Sequence, residues 1–258
     1  MKTLKTATAV LVLALAAGAG VSASLQAASE AAPKAEAWSF EGLFGTFDRA
    51  ALQRGFQVYK EVCSGCHGMK QLAYRHLSEL GYSEAQLKAI AATVEVQDGP
   101  NDNGEMFTRN GKPSDRFKSP FPNEEAARAA NNGAFPPDLS VITKARPHGP
   151  DYLYALLTGY KEEPPKGVTM PEGMFYNTAF GGNQIAMVPP LAADAVQYQD
   201  GTKSTVPQMA KDVTTFLAWA SEPEMEDRKA LGRSVIIFLI ALTALLYALK
   251  RKIWSDLH

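Results

Sequence analysis

Cys63-Ser64-Gly65-Cys66-His67 holds both cysteines of the 258-residue chain, with a histidine directly behind the second. Two thiols two residues apart can each add to one vinyl group of a single haem, and the adjacent imidazole then faces the iron as an axial ligand. Other chemistries fit less well. A disulfide across so short a loop would constrain almost nothing and would leave His67 unexplained. A zinc site would need a second Cys or His pair at ligand spacing, and the sequence has none. The pattern therefore predicts one covalent haem c, attached through Cys63 and Cys66, with His67 on the iron.

Iron that carries electrons is usually six-coordinate, and a His/Met ligand pair raises its potential. Of the eight methionines, Met1 leaves with a leader, Met69 is too close to His67 to reach the opposite haem face, and Met225 sits in a linker. Met209 falls on the apolar face of a helical stretch, where packing is its expected role. Met106, Met170, Met174 and Met187 remain. Met187 has a slight advantage, because Val188-Pro189-Pro190 would stiffen its loop. His76 and His148 stay open as alternative ligands, whereas His258 lies beyond an apolar run that separates it from the haem.

These residues must be positioned by a mostly α-helical domain. Asp48–Val62 has an amphipathic pattern through Ala51, Leu52, Phe56, Val58 and Tyr59, and it would deliver the haem motif at its end. A further helical stretch is expected over Gln71–Leu80. Another opens at Ser83, with Gln86 completing a capping box, and runs to about Val94. Glu124–Ala130, Asp151–Gly159 and Thr205–Ala220 complete the helical segments. Between them, Gln97–Asn123 and Lys161–Pro190 are rich in Gly, Asn, Asp and Pro and read as long connections, and Asn131–Asp138 reads as a rigid turn. Loops this long need something to wrap, and a covalent haem supplies a large apolar plate.

Two apolar segments frame the domain. Residues 1–27 carry Lys2 and Lys5, then the apolar run Ala7–Ala17, then small residues. This is the layout of a secretory leader, with cleavage expected between residues 23 and 28. Ser234–Leu249 is uncharged, is flanked by Arg233 and Lys250-Arg251-Lys252, and has Tyr247 and Trp254 suited to an interface. It predicts a membrane helix within an anchor at 229–252, followed by a cytoplasmic tail at 253–258. The haem domain, residues 28–228, then lies on the exported side, in the periplasm of a cell with an inner membrane. Residues 28–227 carry 18 Lys and Arg against 26 Asp and Glu, a net charge of −8. An acidic surface suits a basic protein partner and argues against nucleic acid.

Several segments resemble cytochrome c1, the haem subunit of the quinol–cytochrome c oxidoreductase (cytochrome bc1) complex. They are VYKEVCSGCH at 58–67, RAANNGAFPPDLS at 128–140, DYLYALLTGY at 151–160, QIAMVPPL at 184–191, the stretch Asp212–Pro223 and the C-terminal anchor. They follow one another in order over nearly the whole mature chain. The resemblance implies a class I cytochrome c-like haem domain with long loop insertions and Met187 as the distal ligand. It implies that Asn131, Ala134, Pro136 and Pro137 line the haem, that Arg146 pairs with a propionate, and that Tyr152, Leu156, Leu157, Phe180 and Ile185 pack against the ring. It also implies a single-pass carrier in a dimeric complex with cytochrome b, moving one electron at a time from a Rieske iron–sulfur protein to a soluble c-type cytochrome. The chain would thus belong to an enzyme while doing no acid–base chemistry itself. Some bacterial relatives have an extra disulfide in the loop before the ligand methionine. This chain has no cysteines to spare, so prolines and packing must hold Lys161–Gly182.

Two other readings compete. A membrane-anchored cytochrome c of another complex, such as a terminal oxidase, would share the haem motif and the anchor, but not RAANNGAFPPDLS or QIAMVPPL. A five-coordinate haem protein that binds gas or reduces peroxide would dispense with the methionine ligand.

Overall fold

Asp48 ends an extended stretch, and its carboxylate accepts the N–H groups of Ala50 at 2.9 Å and Ala51 at 3.3 Å. That cap starts helix α1, Arg49–Glu61, close to where the sequence pattern places it. A computed structural model describes residues 32–255; the expected leader, with its cleavage between residues 23 and 28, lies outside them. The chain divides into Met1–Ala32 and Pro33–His258, and every element below belongs to the second unit.

The remaining α-helices among the described residues are α2 (Glu84–Ala92), α3 (Glu124–Ala130), α4 (Gly149–Thr158), α5 (Val206–Ser221) and α6 (Met225–Ser255). The capping box expected at Ser83 is present: Gln86 Oε1 accepts the Ser83 N–H at 2.8 Å, and Ser83 Oγ accepts the Gln86 N–H. Thr205 caps α5 in the same way through the Gln208 N–H. Two short antiparallel pairs add β1 (Glu95–Asp98) with β2 (Phe107–Asn110), and β3 (Phe175–Tyr176) with β4 (Gln184–Ile185).

Three expectations shift. Gln71–Leu80 does not form an α-helix; Tyr74–Leu80 winds as a 3₁₀ turn. Its buried side chains, Tyr74, Leu77 and Leu80, recur every third residue, which matches three residues per turn rather than 3.6. The polar connection Gln97–Asn123 contains the β1–β2 hairpin, held by Arg109, which pairs with Asp98 and, at 2.6 Å, with Asp115. Met225, expected in a linker, instead opens helix α6.

The core forms where α1 crosses α5. Phe216 packs on Phe56 and Tyr59 with ring centroids 5.7 and 5.8 Å apart, and Trp219 continues the stack at 5.7 Å. Phe216, Trp219, Met209 and Val213 are fully buried. Each such side chain contributes about 1.5–3 kcal/mol of hydrophobic stabilisation. The helices touch backbone to backbone at Gly55, where a Cβ would stand 2.1 Å from the Asp212 carbonyl oxygen. Beside that contact Arg54 makes a bidentate pair with the buried Asp212 carboxylate, both bonds 3.0 Å, and a further bond of 2.8 Å to Asp200. The N-terminal stretch wraps α4 and α5: Trp38 Nε1 donates to Asp151 at 2.7 Å, and its ring stacks on Phe40.

Helix α6 has 31 residues and a mean hydropathy of 2.1 over its most apolar stretch, against which none of the described residues packs. By length and composition it is a candidate membrane span of about 46 Å. Its first turns are tied to the domain. Glu226 accepts the Phe47 N–H at 2.7 Å and binds Arg49 through both carboxylate oxygens. Lys229 Nζ donates to the carbonyls of Phe40 and Gly45.

Candidate haem site

The haem motif leaves the C-terminus of α1 directly. Cys63–Gly65 forms one 3₁₀ turn, and the N–H groups of Cys66 and His67 both return to the Cys63 carbonyl, at 3.1 and 2.9 Å. Cys63 packs against the core, while Cys66 is exposed. Burial pushes the Cys63 thiol up to about 12, with the Cys66 thiol adding to it. A free thiolate is therefore disfavoured at Cys63, and a neutral thioether suits the position.

His67 is fixed at both its ring and its backbone. Nδ1 lies 2.8 Å from the Pro137 carbonyl oxygen. A carbonyl only accepts, so Nδ1 carries the proton and Nε2 is left with a lone pair. That is the tautomer a metal-ligating imidazole needs, with the backbone acceptor orienting the ring. Burial holds the imidazole pKa below its ordinary value, outweighing the Pro137 bond and the Asp138 charge, which act upward. The Tyr59 hydroxyl donates to the His67 carbonyl at 3.3 Å.

The segment that supplies Pro137 runs alongside the residues after His67. The Leu139 N–H donates to the Gly68 carbonyl at 2.8 Å. Asp138 accepts the N–H groups of Lys70 and Ser140, both at 2.9 Å, and Ser140 Oγ accepts the Gln71 N–H at 3.1 Å. Upstream, Asn131 Nδ2 donates to the Ala127 carbonyl at 2.7 Å, and Arg128 clasps the Gly133 carbonyl at 2.9 Å while pairing with Glu124. Asn131, Ala134, Pro136 and Pro137 lie on this one segment, which meets His67 at the Pro137 carbonyl.

Met187 is half-buried and follows β4, with its carbonyl accepting from the Tyr160 hydroxyl at 3.0 Å. Burial raises the Tyr160 pKa, so the hydroxyl keeps its proton and its bond. The loop leading to Met187 is organised by Asn177, which is fully buried. Its Nδ2 donates to the Leu156 carbonyl at 2.8 Å, and its Oδ1 accepts from the N–H groups of Ala179 and Phe180. A buried amide thus adds to the prolines and packing expected to hold this loop.

Leu153 is the buried apolar side chain of α4, while Tyr152, Leu156 and Leu157 are half-buried, as is Phe180; Ile185 is buried. Arg146 is exposed and bonds only the Ala145 carbonyl, so no carboxylate of the described residues engages its guanidinium. Of the competing ligands, Met209 is fully buried core, as its pattern indicated, and Met106 is exposed. His76 Nδ1 is occupied by the Ala73 N–H at 3.1 Å. His148 precedes α4 with a φ of 61°.

The donor set fits haem c: two thiols at the required spacing, an imidazole with Nε2 free, half-buried apolar side chains for the ring, and an arginine open to an anion. The sequence did not point to Tyr160, Asn177 or the Pro137 carbonyl as supports. No residue-type signal marks a backbone acceptor, and Asn177 sits in a stretch whose Gly and Pro content masks it.

Helical fold and attachment site together define a c-type cytochrome. The chain matches the Cytochrome C1 family over residues 38–257. It is 52% identical over 234 residues to the protein of Rhodospirillum rubrum named cytochrome c1, covering 85% of this chain and 86% of that one. It is 53% identical over 221 residues to an Arabidopsis thaliana protein named cytochrome c1 1, heme protein, mitochondrial, covering 85% and 71%. Against the Bradyrhizobium diazoefficiens protein named cytochrome b/c1 the identity is 52% over 247 residues, 88% of this chain but only 36% of that one. The chain belongs to the cytochrome c1 family.

Proposed function

We propose that this chain is the membrane-anchored electron carrier of a quinol–cytochrome c reductase, taking single electrons from a Rieske iron–sulfur protein and passing them to a soluble c-type cytochrome. The observation that carries the site reading is the His67 Nδ1–Pro137 bond, which leaves Nε2 as the ligand atom. Bound haem supplies a reversible one-electron couple. The chain's own residues do the rest. Cys63 and Cys66 would fix the ring covalently, His67 and Met187 would ligate the iron, and Arg146 would hold a propionate. Asn131, Ala134, Pro136 and Pro137 would line the group, and Tyr152, Leu156, Leu157, Phe180 and Ile185 would pack against it.

The partner reading rests on family membership and on the Bradyrhizobium protein, whose name joins cytochrome b and cytochrome c1. The complex is read as dimeric, with cytochrome b beside α6. The haem domain faces the periplasm and the C-terminus the cytoplasm, as the Lys250-Arg251-Lys252 cluster directs. Membrane lipid surrounds α6. An acidic exported surface, including exposed Glu105, Glu162, Glu163 and Glu172, favours brief docking of a basic acceptor.

The test is a detergent pull-down through a C-terminal tag, assayed for quinol-driven reduction of a soluble cytochrome c. Activity together with b-type haem and an iron–sulfur protein supports the proposal. A haem-bearing chain recovered without them, or with oxidase subunits, overturns it.

A further inference from the structure

The loop Glu41–Gly45 presents two large apolar side chains to solvent, Leu43 at 54% and Phe44 at 77% exposure. It is a built feature. Gly42 has a φ of +72°, and a Cβ on Gly45 would stand 1.9 Å from the Glu41 carbonyl oxygen, so this tight turn depends on its glycines. The Thr46 N–H closes it on the Ser39 carbonyl at 3.0 Å.

The loop is pinned to α6. Lys229 Nζ bonds the Phe40 and Gly45 carbonyls at 2.6 and 3.1 Å, Arg233 donates to the Leu43 carbonyl at 3.1 Å, and the Arg233 guanidinium lies 5.5 Å from the Phe44 ring centroid. Arg233 directly precedes Ser234, the first of the uncharged run that ends at Leu249. Leu43 and Phe44 therefore sit at the level where α6 changes from charged to apolar.

We infer that this loop is a second, interfacial membrane contact, with Leu43 and Phe44 entering the headgroup–acyl boundary of the lipid around α6. The inference rests on the membrane-span reading of α6. Lipid is the occupant favoured by the height of the loop beside the helix and by Arg233. One Arg233 donor goes to Leu43, and others remain for a phosphate at headgroup depth. An apolar pair with adjacent cations is the composition that binds at an interface plane.

Spin labels test this in the full-length, haem-loaded chain, where thioether formation leaves the parent without free thiols. F44C, L43C, the mid-span control L245C and the aqueous control E172C are reconstituted into vesicles of phosphatidylcholine and phosphatidylglycerol. Collision with oxygen and with a water-soluble nickel chelate is then compared, with the visible haem spectrum as the check on folding. The expected oxygen-to-nickel ratio at positions 43 and 44 lies between the two controls and several-fold above that at 172. A water-like ratio at 43 and 44 with a lipid-like ratio at 245 overturns the inference and leaves the span intact. A water-like ratio at 245 overturns both. Protection of 43 and 44 from both reagents in native membranes also overturns it, by placing a protein partner over the loop.

Discussion

The imidazole of His67 hangs from the carbonyl of Pro137, 70 residues away in sequence, by a 2.8 Å bond. Asp138 anchors that carbonyl by accepting the Lys70 and Ser140 N–H groups. Replacing Asp138 with Ala leaves the N–H of the buried Ser140 unpaired at a cost of about 1–3 kcal/mol, while the exposed Lys70 N–H can turn to water. The substitution also loosens the Nδ1 bond and removes a negative charge that acts on His67. Both changes disfavour the ferric state, so the midpoint potential should rise. A redox titration beside a denaturant melt checks both, and an unchanged potential would count against the positioning role of Asp138.

Tyr160 holds the Met187 loop by one hydroxyl bond to a carbonyl. Tyr160→Phe keeps the ring and deletes the bond, with an expected stability loss of about 0.5–1.5 kcal/mol. If Met187 is the iron ligand, the same change should speed cyanide binding to the ferric protein, because the sulfur leaves more readily. Equal cyanide rates in wild type and variant would detach Tyr160 from ligation.

Asp212 and Asp200 both bind Arg54 but should differ in worth. Asp212 is 1% exposed and Asp200 42%. Truncating Asp212 to Ala removes the buried bidentate partner of Arg54 at the α1–α5 crossing, leaves it only the exposed Asp200, and should cost about 1–3 kcal/mol. Asp200→Ala removes a solvent-screened pair and should cost less than about 1 kcal/mol. Denaturant midpoints of the two variants make the comparison.

His76 gives the fold an acid sensitivity. Its pKa lies below the ordinary 6.5, through burial first and Arg75 next, and its neutral Nδ1 accepts the Ala73 N–H. The unfolded chain takes up this proton as pH falls through about 6.5 while the folded chain resists, so stability is complete above that pH and declines below it. His76→Gln, which keeps an acceptor, should flatten thermal stability between pH 6.5 and the folded pKa. A profile unchanged by the substitution would assign the acid sensitivity elsewhere.

Helices α1, α2 and α5 were legible because Asp48, Ser83 and Thr205 cap amphipathic runs, and local chemistry settled the matter. The β1–β2 hairpin was not legible. Its strands are largely exposed and lack apolar alternation, and Arg109 secures them by charge across distances that no pattern reveals. At the site, Cys63, Cys66 and His67 could be read from spacing, since the covalent chemistry demands it. Their supports could not, because Pro137 acts through its backbone and Asn177 through a burial that exists only once the loop has closed.

Helix α1 joins two fixed points. At one end Arg49 grips Glu226 of α6; at the other Cys63 begins the attachment motif. Thirteen residues between them span about 20 Å. A shelf takes its height from its bracket: the attachment motif begins one helix length from the contact that α1 makes with the helix carrying the apolar run.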